Sequence, residues 1–367
     1  MAAIPPYTPP DFSLPDLAAA PPARTEPAPA DGILPAGFHA TSNHPEYVHR
    51  GNGEWLLVRE SRMDAVLLLG NDTLQAVEPR LVRQGDPVVM GRTENGEEGI
   101  YVHTTGFDPT GPAAGDKFAF RARGTRETPF SRSYDELYEI LRHDRQHGSI
   151  LWVLGPAVAF DRDSRDAMEW LIENGYCHAL LAGNALATHD LEAALFRTGL
   201  GQDIYTQALV PGGHYNHLDA INEVRRRGSL AKTVADLEIR DGIIPACLRR
   251  SVPFVLAGSI RDDGPLPEVL TDTVQAQDAM RHQARRATTV IAVATQLHTI
   301  ATGNMVPDYR VMEDGTVRPV FFYIVDMSEF GADKLANRGS GQARAILTNA
   351  QDFVVNLRHA LECPGKL

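Results

Sequence analysis

The sequence predicts an α/β protein: a small β-rich N-terminal domain followed by a Rossmann-like parallel α/β domain. Three observations carry this. Beyond about residue 126, short apolar runs alternate with stretches of helical spacing, the pattern of right-handed βαβ units around a parallel sheet. Between residues 31 and about 125, short apolar runs are separated by Gly, Asn and Asp pairs, with no long helical period. Several polar motifs also fall directly after apolar runs, and in a parallel sheet that is the edge where ligands bind.

The domain boundaries follow. Residues 1–30 are a Pro/Ala-rich arm that favours extended conformations and cannot form a core alone. It either drapes over the body or a partner subunit, or is a disordered tail. In residues 31–125, strands are expected at 55–58, 65–69, 87–90 and 118–120. A polar, titratable stretch, Ser42-Asn43-His44 before Pro45, interrupts this domain; a plain loop is its bland alternative. In residues 126–367, Tyr134, Leu137, Tyr138 and Leu141 mark a helix over 133–142. Strands are expected at 150–158, 177–182, 253–260, 289–294 and 320–325, and helices at 164–173, 189–196, 218–227 and 353–361. A further helix should start near Thr271 as its cap, with Asp272 in the first turn.

Composition excludes several classes. A net charge of -12 argues against nucleic acid or an anionic membrane as main partner. Three widely spaced cysteines fit a reducing compartment with no disulfide framework and no cysteine-based metal site. The first ten residues lack a charged, then apolar, leader, and no run approaches the roughly 20 apolar residues of a membrane helix. The expectation is a cytoplasmic protein with a small-molecule substrate.

The chemistry is concentrated at strand ends. The run Phe254–Ala257 leads into Arg261-Asp262-Asp263-Gly264, two carboxylates beside a guanidinium; an Asp-Gly turn on a solvated loop is the alternative. Leu180–Ala182 leads into Gly183-Asn184-Ala185, Val293-Ala294 into Thr295-Gln296-Leu297-His298, and Ile324-Val325 into Asp326-Met327. Together these make a nucleotide-sized site. Asp326 can accept from both hydroxyls of an adenosine ribose, which favours NAD over NADP, or it can cap a helix from Ser328. The usual G-x-G-x-x-G loop is missing; Gly339-Ser340-Gly341 lacks the third glycine. His214 and His217 are three apart and could share a metal, but no third ligand is evident. A substrate-facing loop or plain surface histidines are the other readings, and no metal is expected.

The segments 42–48, 181–190, 212–223, 252–269, 276–280, 297–304 and 337–343 together resemble the archaeal-type ornithine cyclodeaminases. That family is also known as the conserved region of a bifunctional lysine-oxoglutarate reductase/saccharopine dehydrogenase. The chain is similar, too, to the C-terminal part of cyanobacterial arginine dihydrolase/ornithine cyclodeaminases. The resemblance implies a deoxyhypusine-synthase-like variant of the NAD-binding fold and NAD retained through turnover. It puts Asn184, Ala185, Asp263, Thr295 and Asp326 on NAD, and Gln296, Leu297, His298 and Met327 are grouped with them. Family members usually begin with a ferredoxin-like module, where this chain has the Pro/Ala-rich arm. Residues 312–318 look like an insertion. Tyr215 and Asn216 replace residues that are often basic or histidine in relatives.

The reaction implied is a redox-neutral cyclodeamination of L-ornithine to L-proline and ammonia. Asp262 is the candidate base, and His44 and His214 are candidates for proton transfer. Asn43, Arg261 and His217 are the candidates for holding the substrate, Arg261 through its two-pronged donor. Two rivals stand beside this reading: a dehydrogenase with net redox on an amino acid or opine-type imine, and a non-enzymatic sensor of NAD or amino acids. A homo-oligomer, dimer or tetramer, is expected.

Overall fold

Seven short strands come first: β1 (Arg24–Pro27), β2 (Glu46–Gly51), β3 (Glu54–Leu57), β4 (Val66–Leu69), β5 (Leu74–Val77), β6 (Pro87–Met90) and β7 (Ile100–Val102). The structure is a computed structural model that describes residues 4–70, 73–107, 130–262, 264–328, 330–331, 334 and 343–363. The strands form a four-stranded antiparallel sheet, β1-β6-β4-β5, and a three-stranded one, β3-β2-β7. β1 lies inside the Pro/Ala-rich segment and pairs with β6 from Arg24–Met90 to Pro27–Pro87. It is an edge strand, where a proline removes no needed hydrogen bond. One turn of helix ahead of it, α1 (Pro15–Ala18), buries Leu17. The segment from Pro15 to Pro27 is thus packed on the body. The strand expected at 118–120 lies outside the described residues.

The second region alternates as its periodicity predicts. It runs α2 (Phe130–His147), β8 (Ile150–Leu154), α3 (Arg162–Glu173), β9 (Ala179–Gly183), α4 (Asn184–Phe196), then the small ladder β10 (Thr198–Gly199) and β11 (Gln202–Asp203). Next come α5 (Asn216–Arg227), α6 (Leu230–Asp236), α7 (Ile243–Arg250), β12 (Phe254–Ala257), β13 (Val269–Leu270), α8 (Thr273–Ala284), β14 (Thr289–Val293) and α9 (Gln296–Met305). The chain ends with a hairpin, β15 (Tyr309–Val311) and β16 (Val317–Pro319), then β17 (Phe321–Asp326), β18 (Ala343–Leu347) and α10 (Ala350–Glu362). Seven of these strands form one parallel sheet in the order β13-β12-β9-β8-β14-β17-β18. Every residue of β8 and of β14 is buried, because a parallel sheet is covered on both faces. Side chains alternate between the two cores: Ile150, Trp152 and Leu154 pack under α2, α3 and α10, while Leu151 and Val153 face the α8 and α9 side.

Several boundaries move for local reasons. β8 stops at Leu154, not at 158, because Pro156 starts a 3₁₀ turn over Pro156–Ala159. α8 is capped by Asp272, whose side chain accepts from the N–H groups of Val274 and Gln275 at 2.9 Å each, so Thr271 is not the cap. α4 begins at Asn184, five residues before the expected start, and α6 and α7 have no counterpart among the expected elements. Residues 312–316 form the turn of the β15–β16 hairpin.

Within the second region, α2, β14 and β16 are tied near the amino end of β14 by one buried carboxylate. Asp144 of α2 is fully buried. It accepts from Thr288 Oγ1 at 2.6 Å, Thr289 Oγ1 at 2.8 Å and both terminal nitrogens of Arg318 at 3.0 and 3.2 Å. Burial pushes its pKa up, but the Arg318 guanidinium and the hydroxyl donors outweigh this and hold it below the ordinary value. A carboxylate with a depressed folded pKa contributes stability above its unfolded value and loses it as pH falls through the folded one. Asp144→Asn leaves Arg318 buried beside a neutral amide and should cost about 3–5 kcal/mol in urea unfolding at neutral pH. The gap to wild type should narrow below about pH 4, where the unfolded carboxylate starts to take up a proton and the native one still does not. A gap that is small at neutral pH, or constant through the acid limb, would refute this.

Candidate functional site

From β8 the chain runs outward to β13, returns to the centre as β14, and runs outward again to β18. The order reverses between β8 and β14, and ligands bind outside the carboxyl ends of strands at such a point. Five turns open there, after β8, β9, β12, β14 and β17. The turn out of β8 presses on the turn out of β14: Gly155 N donates to Val293 O at 2.9 Å. A Cβ on Gly155 would sit 2.0 Å from Ala294 O, so only glycine fits. Ala294 itself is left-handed, with φ of 52°.

The helix ends explain why the glycine loop is absent. In a standard Rossmann unit, a phosphate sits at the helix after the first strand. Here that helix, α3, is capped by its own Asp161, which accepts from Ser164 N at 3.0 Å. α8 and α10 are likewise capped, by Asp272 and Asn349. α4 and α9, which follow β9 and β14, have no side-chain cap. Their first N–H groups, in the turns carrying Ala185 and Gln296-Leu297-His298, remain available to an anionic acceptor. At the end of β17, Asp326 Oδ1 accepts from Ser328 N at 3.0 Å. That is the turn a capping aspartate makes, and it leaves the carboxylate able to accept from hydroxyls as well. The edge carries exposed apolar side chains in Leu297 and Met327, at 74% and 75% exposure. Two open helix ends, a strand-end carboxylate and exposed apolar side chains fit a dinucleotide.

One histidine belongs to this edge. His298, in the first turn of α9, is half-buried, and its Cε1 lies 3.2 Å from where a Cβ of Gly183 would be. Burial lowers its pKa, and the negative charge of Asp262 acts in the opposite sense. The net is a neutral imidazole at pH 7 that faces a carboxylate. Asp262 Oδ2 accepts from Ser259 N at 2.8 Å, and Arg261 is exposed on the same turn. Asn184 is spent on the scaffold: its Oδ1 accepts from Leu266 N at 3.0 Å and Thr188 Oγ1 at 3.4 Å. Thr295 is the N-cap position of α9 without a capping bond. Asp263 and the stretch 339–341 lie outside the described residues.

The remaining candidates sit elsewhere. His44 Nδ1 is 3.6 Å from Asp308 Oδ2, and Asp308 N donates to Asn43 O at 2.9 Å. Asp308 O in turn accepts from Val320 N, directly before β17. His44 and Asn43 therefore lie at the amino end of β17, roughly 17–20 Å from Asp326 at its carboxyl end. Burial lowers the pKa of His44, so it is neutral there. His214 is exposed with its ring 4.1 Å from Tyr215, and the His217 ring is 6.1 Å from that of His189 on α4. α5 crosses α4 in the opposite direction. Arg225 near its end donates to Pro265 O beside the start of α4, and Asn216 at its start donates to Thr198 Oγ1 beyond the end of α4. So within one chain His44 and Asn43 lie at the opposite end of the sheet from the Asp262–His298 pair, while His217 lies beside His189, whose ring is 5.1 Å from Phe160 in the segment after β8. Residue type marked His44 and Asn43 as candidates; strand direction sets them at the amino end of β17. Among the described residues no three His, Cys, Asp or Glu side chains gather as metal ligands, and no helix is long and apolar enough to cross a membrane.

Sequence reasoning missed a buried polar chain on α4. Glu192, fully buried, accepts from Thr198 Oγ1 at 2.8 Å and lies 2.7 Å from His189 Nδ1. Its signal was polar residues three apart in an otherwise apolar helix. It missed Gly155 as well, whose signal was a glycine directly after a buried run.

Comparison with known proteins agrees with this architecture. Residues 135–357 match the family described as arginine dihydrolase ArgZ-like, C-terminal, Rossmann fold. A Methanopyrus kandleri protein named ornithine cyclodeaminase is 40% identical over 338 residues, 91% of this chain and 77% of that protein. The crystal structure of a conserved Methanococcus maripaludis protein assigned to LOR/SDH matches with a TM-score of 0.83 at 35% identity, over 93% of this chain and 98% of that one. The ternary complex of AgrE with ornithine and NAD+ matches with a TM-score of 0.58 at 31% identity, over 95% of this chain and 47% of that one. AgrE, from Nostoc sp., is named a bifunctional arginine dihydrolase/ornithine cyclodeaminase. With this profile match and this likeness over nine-tenths of its length, the chain belongs to the family of the archaeal ornithine cyclodeaminases and the ArgZ-like C-terminal Rossmann-fold regions.

Proposed function

We propose that the protein converts L-ornithine to L-proline and ammonia with no net redox change, using NAD as a catalytic cofactor. The observation that carries this is the 37–40% identity, over about nine-tenths of the chain, to five archaeal relatives named ornithine cyclodeaminase. The AgrE complex holding both ornithine and NAD+ supports the pairing of substrate and cofactor. Bound NAD would supply a reversible hydride acceptor for the α-carbon. The open ends of α4 and α9 would hold its diphosphate and Asp326 a ribose. Asp262 serves as the base for the substrate ammonium. The neutral imidazole of His298 beside it takes a proton on and returns it to the departing ammonia. Arg261, exposed on the same turn, binds the substrate carboxylate as a fork. The atoms balance: one amino group leaves as ammonia, and the other closes the ring.

The rival with net redox draws on the LOR/SDH assignment of the Methanococcus structure. One assay separates the two. Purified protein given ornithine and substoichiometric NAD+ should form proline and ammonia in equal amounts, with no lasting NADH absorbance. Stoichiometric NADH would establish the dehydrogenase instead, and an inert mixture with no bound nucleotide would leave only a sensor.

Asp326→Asn should weaken NAD binding about ten- to a hundredfold by calorimetry and reduce discrimination against NADP. The scale is one charge-assisted hydrogen bond to a ribose hydroxyl. Unchanged affinity in a folded variant would leave Asp326 as the Ser328 cap alone. Asp262→Asn should lower turnover about a hundredfold or more while NAD stays bound. The same substitution should depress the His298 pKa further, because it removes the charge that now raises it. An NMR titration of the imidazole reads this, and an unmoved titration would show that the two groups do not interact.

A further inference from the structure

A second cavity lies away from the sheet edge, between β5 of the N-terminal region and the far end of α8, with the β15 end of the hairpin as its third wall. Its volume is about 830 Å³. Five arginines line it: Arg59, Arg281, Arg285, Arg286 and Arg310. Four carboxylates, Glu60, Glu78, Asp278 and Glu313, share the lining, and two of them, Glu78 and Asp278, are held by arginines outside it. Glu78 pairs with Arg62 and, at 2.7 Å, with Arg80, and Arg80 also holds Asp278. Arg281 Nε reaches Glu78 only at 3.7 Å, and Arg285 reaches Glu60 only at 3.7 Å. Arg281 is 4% exposed, and its buried Nη1 has no hydrogen-bond partner among the described residues. An unsatisfied buried guanidinium donor is costly. The pKa of Arg281 is pushed down to about 10, first by burial and then by the charges of Arg285 and Arg62. Arg310 is lowered in the same way, by burial and then by Arg286 and Arg318.

We propose that this cleft is a binding site for a small phosphate-bearing polyanion. Guanidinium forks converging from separate elements suit a tetrahedral oxyanion, which offers acceptors in several directions, better than a planar carboxylate, which one fork satisfies. The volume admits a diphosphate with a sizeable organic body, and the cleft has apolar wall from Leu74, Val77 and Val311 to cover it. The ligand would satisfy Arg281 Nη1 and relieve the repulsion among the arginines. It would also clamp the N-terminal sheet to α8, because the lining residues come from both.

The test uses the full chain, inorganic pyrophosphate as the probe, sodium chloride at matched ionic strength as the reference, and citrate as the carboxylate arm. At about a hundredfold over Kd, pyrophosphate should raise the melting temperature by roughly 3–6 °C. Arg281→Met and Arg286→Gln should each lose most of that shift. Should Arg281→Met fail to fold, the exposed Arg286 carries the decision. No shift in the wild type would overturn the proposal. So would an equal shift in wild type and variants, since the anion would then be bound elsewhere, the open ends of α4 and α9 included. Stabilisation by citrate and not by pyrophosphate would overturn the phosphate assignment.

Discussion

The functional edge depends on one backbone contact, the crossing of the turns that leave β8 and β14. Gly155 N donates to Val293 O, and the space a side chain would need at 155 is filled by Ala294 O. With the crossing this tight, the chain after β8 has no room for a glycine-rich phosphate loop. It turns instead through Pro156 into a 3₁₀ segment and enters α3 under an Asp161 cap. A carboxylate in that position repels a diphosphate. The helix starts left without a side-chain cap along this edge are those of α4 and α9. The missing G-x-G-x-x-G and the placement of the polar strand ends are two sides of one geometric fact.

α4 shows how a motif that reads as a ligand loop can be mostly scaffold. Asn184 latches the loop after β12 through Leu266. Asp190 accepts from Arg165 at 2.7 Å and, with its two oxygens, caps α7 through Ile243 and Ile244 at 3.0 and 2.7 Å. α7 thus takes its N-terminal acceptor from a different helix, since its own N-cap position is Gly242. Glu192 ties in β10 and, through Thr198, α5. Each group is buried with its acceptors filled, the condition under which buried charge is tolerated. What α4 offers a ligand is its backbone start, and its polar side chains keep that start rigidly placed.

The parts of the fold that were legible in the sequence are those where burial and periodicity coincide. Val290, Ile291 and Ala292, or Leu151, Trp152 and Val153, can only be strand interior in a sheet covered on both faces. α6 and α7 escaped because they are seven and eight residues long, too short for a helical period to stand out, and Pro245 in the first turn of α7 reads as a break. β1 escaped because Arg24–Pro27 has the composition of a linker and is a strand only by pairing with β6. For the site, the strand-end motifs carried direction as well as identity, and so Asp262, His298 and Asp326 fall on one edge. His44 and Asn43, at the amino end of β17, were chosen by residue type. Nothing in their local sequence tells whether a loop meets the carboxyl or the amino end of a neighbouring strand.

α8 connects the two places where this chain gathers charge. Its capped start at Asp272 follows β13, whose Leu270 O accepts from Gly258 N at 2.8 Å at the root of the turn that carries Arg261 and Asp262. Its other end, roughly 18 Å away for twelve residues, carries Arg281 into the arginine-lined cleft. There the N-terminal region holds it through the ion pairs of Arg80 with Asp278 and of Glu78 near Arg281. A helix fixed at both ends cannot tilt without disturbing either the Gly258 turn or this contact. The small antiparallel sheets thus supply no side chain to the nucleotide edge, yet they help fix the position of the strand-end loop on which Asp262 sits.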